Sequence, residues 1–171
     1  YQTTLEAYNL SFIKDFPPQD ARYHNYQEIT DKLKLINTKL PDMTTVISIG
    51  KSAEGRDIWA LRFNTTDKTG LSKKPGLALI GNHHAREHLS AELPLAFAQW
   101  LADNAAKPEV KKLIEERDVF IIPSVNPDGA EFDVASGKYA WWRKNRRKLS
   151  GSTIGVDLNR NYGWHWGGDS D

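Results

Sequence analysis

The sequence predicts an α/β fold: a mixed, twisted β-sheet flanked by helices, antiparallel at its start and parallel later. Three observations predict it. A strand–turn–strand pattern occupies 44–63. Two short apolar runs, Leu77-Ala78-Leu79-Ile80 and Val119-Phe120-Ile121-Ile122, have the composition of buried central strands. Helical patterns lie between those two runs, so the second connection has the length of a crossover rather than a hairpin.

Each element follows from local pattern. Residues 1–20 are mixed, end near Pro17-Pro18 and read as a lead-in or linker, leaving 21–171 as the folded unit. Over 26–40, Ile29, Leu33, Ile36 and Leu40 recur at helical spacing until Pro41 closes the run. Thr44-Thr45-Val46-Ile47-Ser48-Ile49-Gly50 and Ile58-Trp59-Ala60-Leu61-Arg62-Phe63 are strands joined by a polar turn. A helix is expected over about 87–102, with Leu89, Leu93, Phe97, Trp100 and Leu101 as its apolar stripe. Pro94 inside it implies a kink or a late start. A shorter helix at 109–116 leads into the 119–122 strand. From Pro123 onward Gly, Pro, Asn, Asp and aromatics dominate, and such irregular segments beyond a central strand carry function in many α/β proteins.

Composition narrows the chemistry. The chain has 171 residues, enough for one domain with a sizeable core or a piece of a larger one. Lys plus Arg number 23 against 22 Asp plus Glu, so no whole-molecule field favours nucleic acid or an anionic membrane. With no Cys there is no disulfide, no thiol nucleophile and no Cys-ligated zinc; a bound metal would rest on His and carboxylate. The apolar runs are too short to span a bilayer. The chain begins at Tyr1 and stops in the polar Gly167-Gly168-Asp169-Ser170-Asp171, so it is expected to be a processed or excised fragment.

The strongest chemical signal is Gly81-Asn82-His83-His84-Ala85-Arg86-Glu87-His88, where a strand gives way to a helix. Ligands in open α/β sheets sit at the carboxyl ends of strands. His84 and Glu87 are three apart, so one helical turn brings an imidazole and a carboxylate, both zinc-ligand types, to one side. The same letters also fit H-x-x-E-H, in which His84 and His88 would bind the metal and Glu87 would be the base. A third reading is a helix N-terminus whose acidic residue favours the dipole. Placement of His84 at the turn favours its pairing with Glu87 without settling the matter.

Further phrases occur in a fixed order: Ile49-Gly50-Lys51-Ser52-Ala53-Glu54-Gly55-Arg56-Asp57-Ile58, the His84 motif, Asn126-Pro127-Asp128-Gly129, Trp142-Arg143, and Gly155-Val156-Asp157-Leu158-Asn159-Arg160-Asn161. Together they resemble the zinc metallocarboxypeptidases related to pancreatic carboxypeptidases A and B. The wording of His84-Ala85-Arg86-Glu87-His88-Leu89 and Asp157-Leu158-Asn159-Arg160-Asn161-Tyr162 is most similar to the bacterial carboxypeptidase T branch. The resemblance implies one Zn²⁺ ion with His84 and Glu87 as two of three ligands. It implies that Asp157 accepts the other ring N–H of His84, that Arg143 polarises the scissile carbonyl, and that Asn159 and Arg160 hold the substrate's terminal carboxylate. Arg86 would line the next subsite.

The resemblance further implies hydrolysis of the C-terminal peptide bond of peptides or proteins with a free C-terminus, in a secreted or extracytoplasmic setting. The family's third ligand, catalytic tyrosine and catalytic glutamate have no counterpart up to Asp171. This chain is therefore expected to be the N-terminal part of the catalytic domain, inactive without a companion C-terminal segment or chain. His165, within Gly163-Trp164-His165-Trp166-Gly167, lacks the family context for the third ligand. His24, His83 and His88 are read as surface or supporting residues, and Trp141 and Trp142 as core packing. The basic, aromatic stretch 139–148 is read as a solvated face, with no nucleic-acid or membrane partner. Asn9-Leu10-Ser11 and Asn64-Thr65-Thr66 are formal glycosylation sequons. A zinc amidase of bacterial cell-wall peptides and an inactive binding fragment are the alternatives.

Overall fold

The computed structural model describes residues 16–65, 72–164 and 166. Helix α1 (Tyr26–Lys39) starts at a reciprocal capping box: Asn25 accepts from the Glu28 amide at 2.9 Å, and the Glu28 carboxylate accepts from the Asn25 amide at 2.9 Å. Ile29, Leu33 and Ile36 enter the core as their spacing requires, and the Leu40 amide closes the last turn on Ile36 before Pro41.

Strand β1 (Thr44–Lys51) pairs antiparallel with β2 (Asp57–Phe63), in register Val46 with Leu61. Helix α2 (Leu89–Asp103) and helix α3 (Pro108–Glu116) connect β3 (Gly76–Ile80) to β4 (Asp118–Ile122). β3 and β4 run parallel, β2 and β4 antiparallel, and the sheet order is β1-β2-β4-β3. The expected mixed sheet is therefore present. On one face, Leu61, Phe63, Val119 and Ile121 join residues of α1, α2 and α3 in a single core.

Two placements depart from the pattern reading. Among the described residues β3 is an edge strand rather than a central one, and Leu77 and Ile80 are 45% and 41% exposed. Helix α2 buries only part of its expected stripe: Leu101 is in the core and Phe97 packs against it, with Ala91, Pro94, Leu95 and Ala98 buried beside them, while Leu89, Leu93 and Trp100 are exposed. Both of its faces are apolar, so periodicity could not say which one the sheet would take. At the end of the lead-in, Phe16 is buried and Asp20 accepts a hydrogen bond from the Tyr139 hydroxyl at 2.8 Å.

Two polar devices tie the elements together. On the sheet face opposite the core, Arg62 grips Asp118 bidentately, Nε and one terminal nitrogen each at 2.7 Å, with Asn64 donating to the same carboxylate at 2.9 Å. Asn64 is thus buried, and its side chain is not presented as a glycan acceptor. Helix α4 (Pro127–Val134) carries the buried Asp128, which accepts from Ser52 at 2.7 Å, the Glu54 amide at 2.9 Å and Arg56 at 2.7 Å. That carboxylate pins the β1–β2 turn onto α4, which accounts for the Ser52-to-Arg56 phrase and the Asp of Asn126-Pro127-Asp128-Gly129.

Proline 94 shapes the approach of β3 to α2. Lacking an N–H, it leaves the Ser90 carbonyl without its helical donor. That carbonyl faces Gly81, where an added Cβ would lie 2.1 Å from the Ser90 oxygen and 2.6 Å from the Pro123 oxygen. Gly81→Ala is therefore expected to destabilise the protein by about 3 kcal/mol, read from the urea midpoint. Asp118→Ala removes the bidentate partner of the buried Arg62 guanidinium and should cost about 3 kcal/mol. Hydrogen bonding to Arg62 outweighs burial and holds the Asp118 carboxyl below the usual carboxylate range. Its contribution is present above the unfolded value, about pH 4, and lost as pH falls through the folded one. Asp118→Asn should accordingly flatten the loss of stability between pH 4 and lower pH; an unchanged slope would show that the pair is not coupled to protons.

Candidate metal centre

The His84–Glu87 turn is built before helix α2 begins. The Glu87 amide closes on the His84 carbonyl at 3.0 Å, and Ser90 and Ala91 continue with bonds to Glu87 and His88 at 3.0 and 2.9 Å. The turn brings His84 Nδ1 to 2.9 Å from Glu87 Oε1. On its other side, His84 Nε2 lies 3.0 Å from Asp157 Oδ1. Asp157 also accepts from Arg143 Nε at 2.9 Å and from the Asn159 amide at 3.0 Å. It therefore serves as a turn aspartate and also lies within hydrogen-bond reach of the His84 ring. A terminal nitrogen of Arg143 stands 3.8 Å from Glu87 Oε1. Four of the singled-out side chains, from three chain segments, thus meet at one place.

Proton counting tests whether this cluster suits a cation. A neutral imidazole carries one N–H, yet both ring nitrogens of His84 face carboxylate oxygens. With Nε2–H donating to Asp157, the Nδ1 lone pair and Glu87 Oε1 point at each other. A small cation between them resolves that conflict with two of zinc's preferred donor types, and Asp157 supplies the partner that fixes the ring. Among the described residues no set of three or more His, Cys, Asp or Glu side chains is arranged to hold a metal. His84 and Glu87 thus fit as part of a site.

The electrostatics are consistent with close packing of charge. Burial would raise the Asp157 carboxyl, but hydrogen bonding and charge from Arg143, then His84, hold it below the usual range. Burial, then His84, lowers His83, whose Nε2 meets the Tyr162 hydroxyl.

Other singled-out residues sit differently. Asn159 and Arg160 are exposed on the short 3₁₀ turn Leu158–Arg160 directly after Asp157, and the Arg160 guanidinium donates to the Asn159 carbonyl at 3.0 Å. Arg86 is exposed and lines an open cleft with Glu87, Leu93, Tyr139 and Trp141. His88 is buried rather than on the surface, 2.9 Å from Asp133, and its partners differ from those of His84. The H-x-x-E-H pairing of His84 with His88 therefore has no support. Trp141 is 68% exposed and is not core, whereas Trp142 packs edge-on against Phe132. Arg146 stacks over Phe132 at 3.7 Å, so the basic stretch is partly engaged by its own protein. His165 and Asn9 lie outside the described residues.

Two asparagines quoted within the sequence motifs were given no role there. Asn82 is buried at φ 53° and donates to the carbonyls of His84 and Ala85, both at 3.1 Å. Asn126 donates to the His83 carbonyl at 3.0 Å and the Lys144 carbonyl at 3.1 Å. They satisfy the buried carbonyls of the turn that carries His84. Beyond their place in those motifs, their signal was position, Asn82 just past a strand and Asn126 before Pro127 at a helix start. Backbone bonds from Ala85 to Arg143 at 3.0 Å and from Arg86 to Trp142 at 2.9 Å then clasp this turn to the later segment.

Comparison with known proteins identifies the family. The zinc carboxypeptidase family profile matches residues 29–171. A zinc carboxypeptidase of Saccharothrix mutabilis subsp. capreolus is 40% identical over 155 residues, 90% of this chain and 35% of that protein. Mouse carboxypeptidase A2 is 35% identical over 148 residues, 85% of this chain and 34% of that protein. The crystal structure of carboxypeptidase A from Helicoverpa armigera superposes with a TM-score of 0.72 at 33% identity, covering 85% of this chain and 35% of that one. The chain spans about a third of the length of the curated relatives it matches.

Asn82→Ala should cost about 2–3 kcal/mol, because it removes two side-chain hydrogen bonds to buried carbonyls and puts a Cβ-bearing residue without a compensating bond at positive φ. Asn82→Gly keeps the φ and should cost about 1 kcal/mol less. Equal losses, compared by urea midpoints, would show that backbone strain contributes nothing at this position.

Proposed function

This chain belongs to the zinc carboxypeptidase family, and we propose that it contributes half of a catalytic centre that removes C-terminal residues from peptides or proteins. The observation that carries the proposal is the meeting of His84, Glu87, Asp157 and Arg143 at one point. Family members in general are hydrolases, and the donor chemistry of His84 and Glu87 suits zinc.

Zinc, when bound, would polarise the scissile carbonyl and acidify a water molecule. Asp157 accepts the Nε2 proton of His84, so that Nδ1 is free to ligate and the ring cannot swing away. Arg143, fixed against Asp157 and near Glu87, would offer a permanent cation to the oxygen that becomes negative during attack. Asn159 and Arg160, held on the turn that Asp157 caps, would bind the terminal carboxylate. A planar guanidinium suits that group and restricts cleavage to the chain end. Rotation of Arg160 away from the Asn159 carbonyl is part of this reading. Arg86 would contact the preceding substrate residue along the cleft it lines.

The third ligand and the general base would come from a companion segment outside this chain. Support for such a segment is physical: the open edge of β3 with Leu77 and Ile80, and the outward stripe of α2 with Leu89, Leu93 and Trp100, form apolar surface that one domain would ordinarily cover. We place the activity outside the cytoplasm on the family resemblance. Among the described residues no helix is long and apolar enough to cross a membrane.

In the full-length protein, His84→Ala should lower zinc content from about one ion per chain to well below half, by atomic absorption; retained stoichiometric metal would overturn the ligand assignment. Arg160→Ala should lower kcat/KM by about 100-fold or more on a peptide with a free C-terminus and far less on its amide. Equal losses would remove the carboxylate role. Absence of zinc-dependent hydrolysis would leave an inactive binding protein as the better reading.

A further inference from the structure

We propose that Asp133 is a positioning residue that sets where Arg143 stands against the His84–Glu87 turn. The inference rests on the reading that Arg143 works at the reacting carbonyl. Asp133 sits in the last turn of α4 and is fully buried. Its Oδ1 accepts the Trp142 amide at 2.6 Å, and its Oδ2 lies 2.9 Å from His88 Nε2. Its own backbone carbonyl accepts the Ala140 amide at 2.8 Å. One residue therefore holds the chain on both sides of Trp141.

Trp141 is where that hold is needed. Its φ is 56°, a left-handed conformation that a bulky side chain avoids, and its ring is exposed, so packing does not impose it. Strain of this kind persists only where surrounding bonds over-determine it. The bonds to Ala140 and Trp142 do so, and the chain turns sharply at Trp141 into Trp142 and Arg143. The carbonyls of those two residues then accept the amides of Arg86 and Ala85 at 2.9 and 3.0 Å. Asp133 thus sits at the head of a rigid path: carboxylate, Trp142 amide, Arg143, clasp to the metal-ligand turn.

The second oxygen of Asp133 reaches the same turn from its far end. His88 directly follows Glu87, and its ring is enclosed by Phe16, with centroids 4.7 Å apart and edge-on, and by Tyr139 at 5.7 Å. A buried carboxylate is costly among aromatic rings, and replacing such a polar pair whole by apolar residues is often neutral for stability. What the carboxylate adds is fixed geometry between two segments.

The test compares Asp133→Leu, which removes both acceptors, with Asp133→Asn, whose amide oxygen still accepts from Trp142. In the full-length, zinc-loaded protein, Asp133→Leu should lower kcat about tenfold with KM within about twofold. In an Arg143→Ala background the same change should cost less than about twofold, because Arg143 is no longer there to misplace. Asp133→Asn should keep at least about half of kcat. Amide hydrogen exchange supplies a readout independent of catalysis: Asp133→Leu should speed exchange at Ala85, Arg86 and Trp142 about tenfold and leave Leu61 and Ile121 unchanged. An undiminished loss in the Arg143→Ala background, or unchanged exchange at Ala85 and Arg86, would overturn the proposal. If Asp133→Leu does not fold, a tenfold loss of kcat in folded Asp133→Asn would overturn it equally. Should the wild-type protein hydrolyse nothing, the catalytic reading fails while the exchange data still decide the role of Asp133.

Discussion

The site depends on one constraint: a buried turn cannot leave its backbone polar groups unpaired. His84 lies in such a turn, between an edge strand and a helix, where neither ladder nor helix supplies partners. Asn82 and Asn126 cap its carbonyls, and Trp142 and Arg143 accept its amides. Because the same backbone bonds that satisfy the turn also carry Arg143, satisfying the fold and assembling the site are one event. The cost is concentrated in two left-handed residues, Asn82 and Trp141, each bracketed by hydrogen bonds. Gly129 belongs to the same junction, since a Cβ there would lie 2.6 Å from the Lys144 carbonyl and 2.9 Å from Ala85.

Much of this was legible in the sequence, and the boundary of legibility has a physical cause. Spacing showed which residues share a face, so helix α1, the hairpin of β1 and β2, and the His84–Glu87 pair followed from pattern. Spacing does not show which face becomes covered. Helix α2 has apolar residues on more than one face, so Leu89, Leu93 and Trp100 looked like core and proved to face outward, while Phe97 and Leu101 of the same stripe pack inward. The run at 77–80 looked central because both its faces are apolar, and among the described residues it lies at an edge. Contacts between distant residues were legible only through resemblance. Asp157 is 73 positions from His84, and nothing local distinguishes it from an ordinary turn aspartate. Asp133 had no signal at all, because a carboxylate near a helix end is expected at a surface and this one is buried.

Leu89 and Leu93 of the outward α2 stripe line the same open cleft as Glu87 and Arg86. This is physically coherent with a centre that is shared between segments. The carboxyl end of a strand leaves side chains of the following turn open to groups arriving from outside the sheet. The exposure of Glu87, 52% at its side chain, has the same sense: His84 is fixed and buried, while Glu87 faces the open side.

Charge balance carries the argument one step further. Glu87, Asp157 and Arg143 bring two negative charges and one positive, with His84 contributing none when neutral. In a partly buried cluster that residual negative charge is unfavourable unless a cation or a proton joins it. A divalent cation held by His84 and Glu87, as proposed above, would offset that charge with His84 neutral, and would turn the surplus to positive. Asp157, whose carboxyl hydrogen bonding and charge from Arg143 hold below the usual range, faces the other ring nitrogen of His84. Arg143 thus reaches His84 through Asp157 as well as standing 3.8 Å from Glu87, so its two contacts belong to one charged network rather than to separate parts of the cluster.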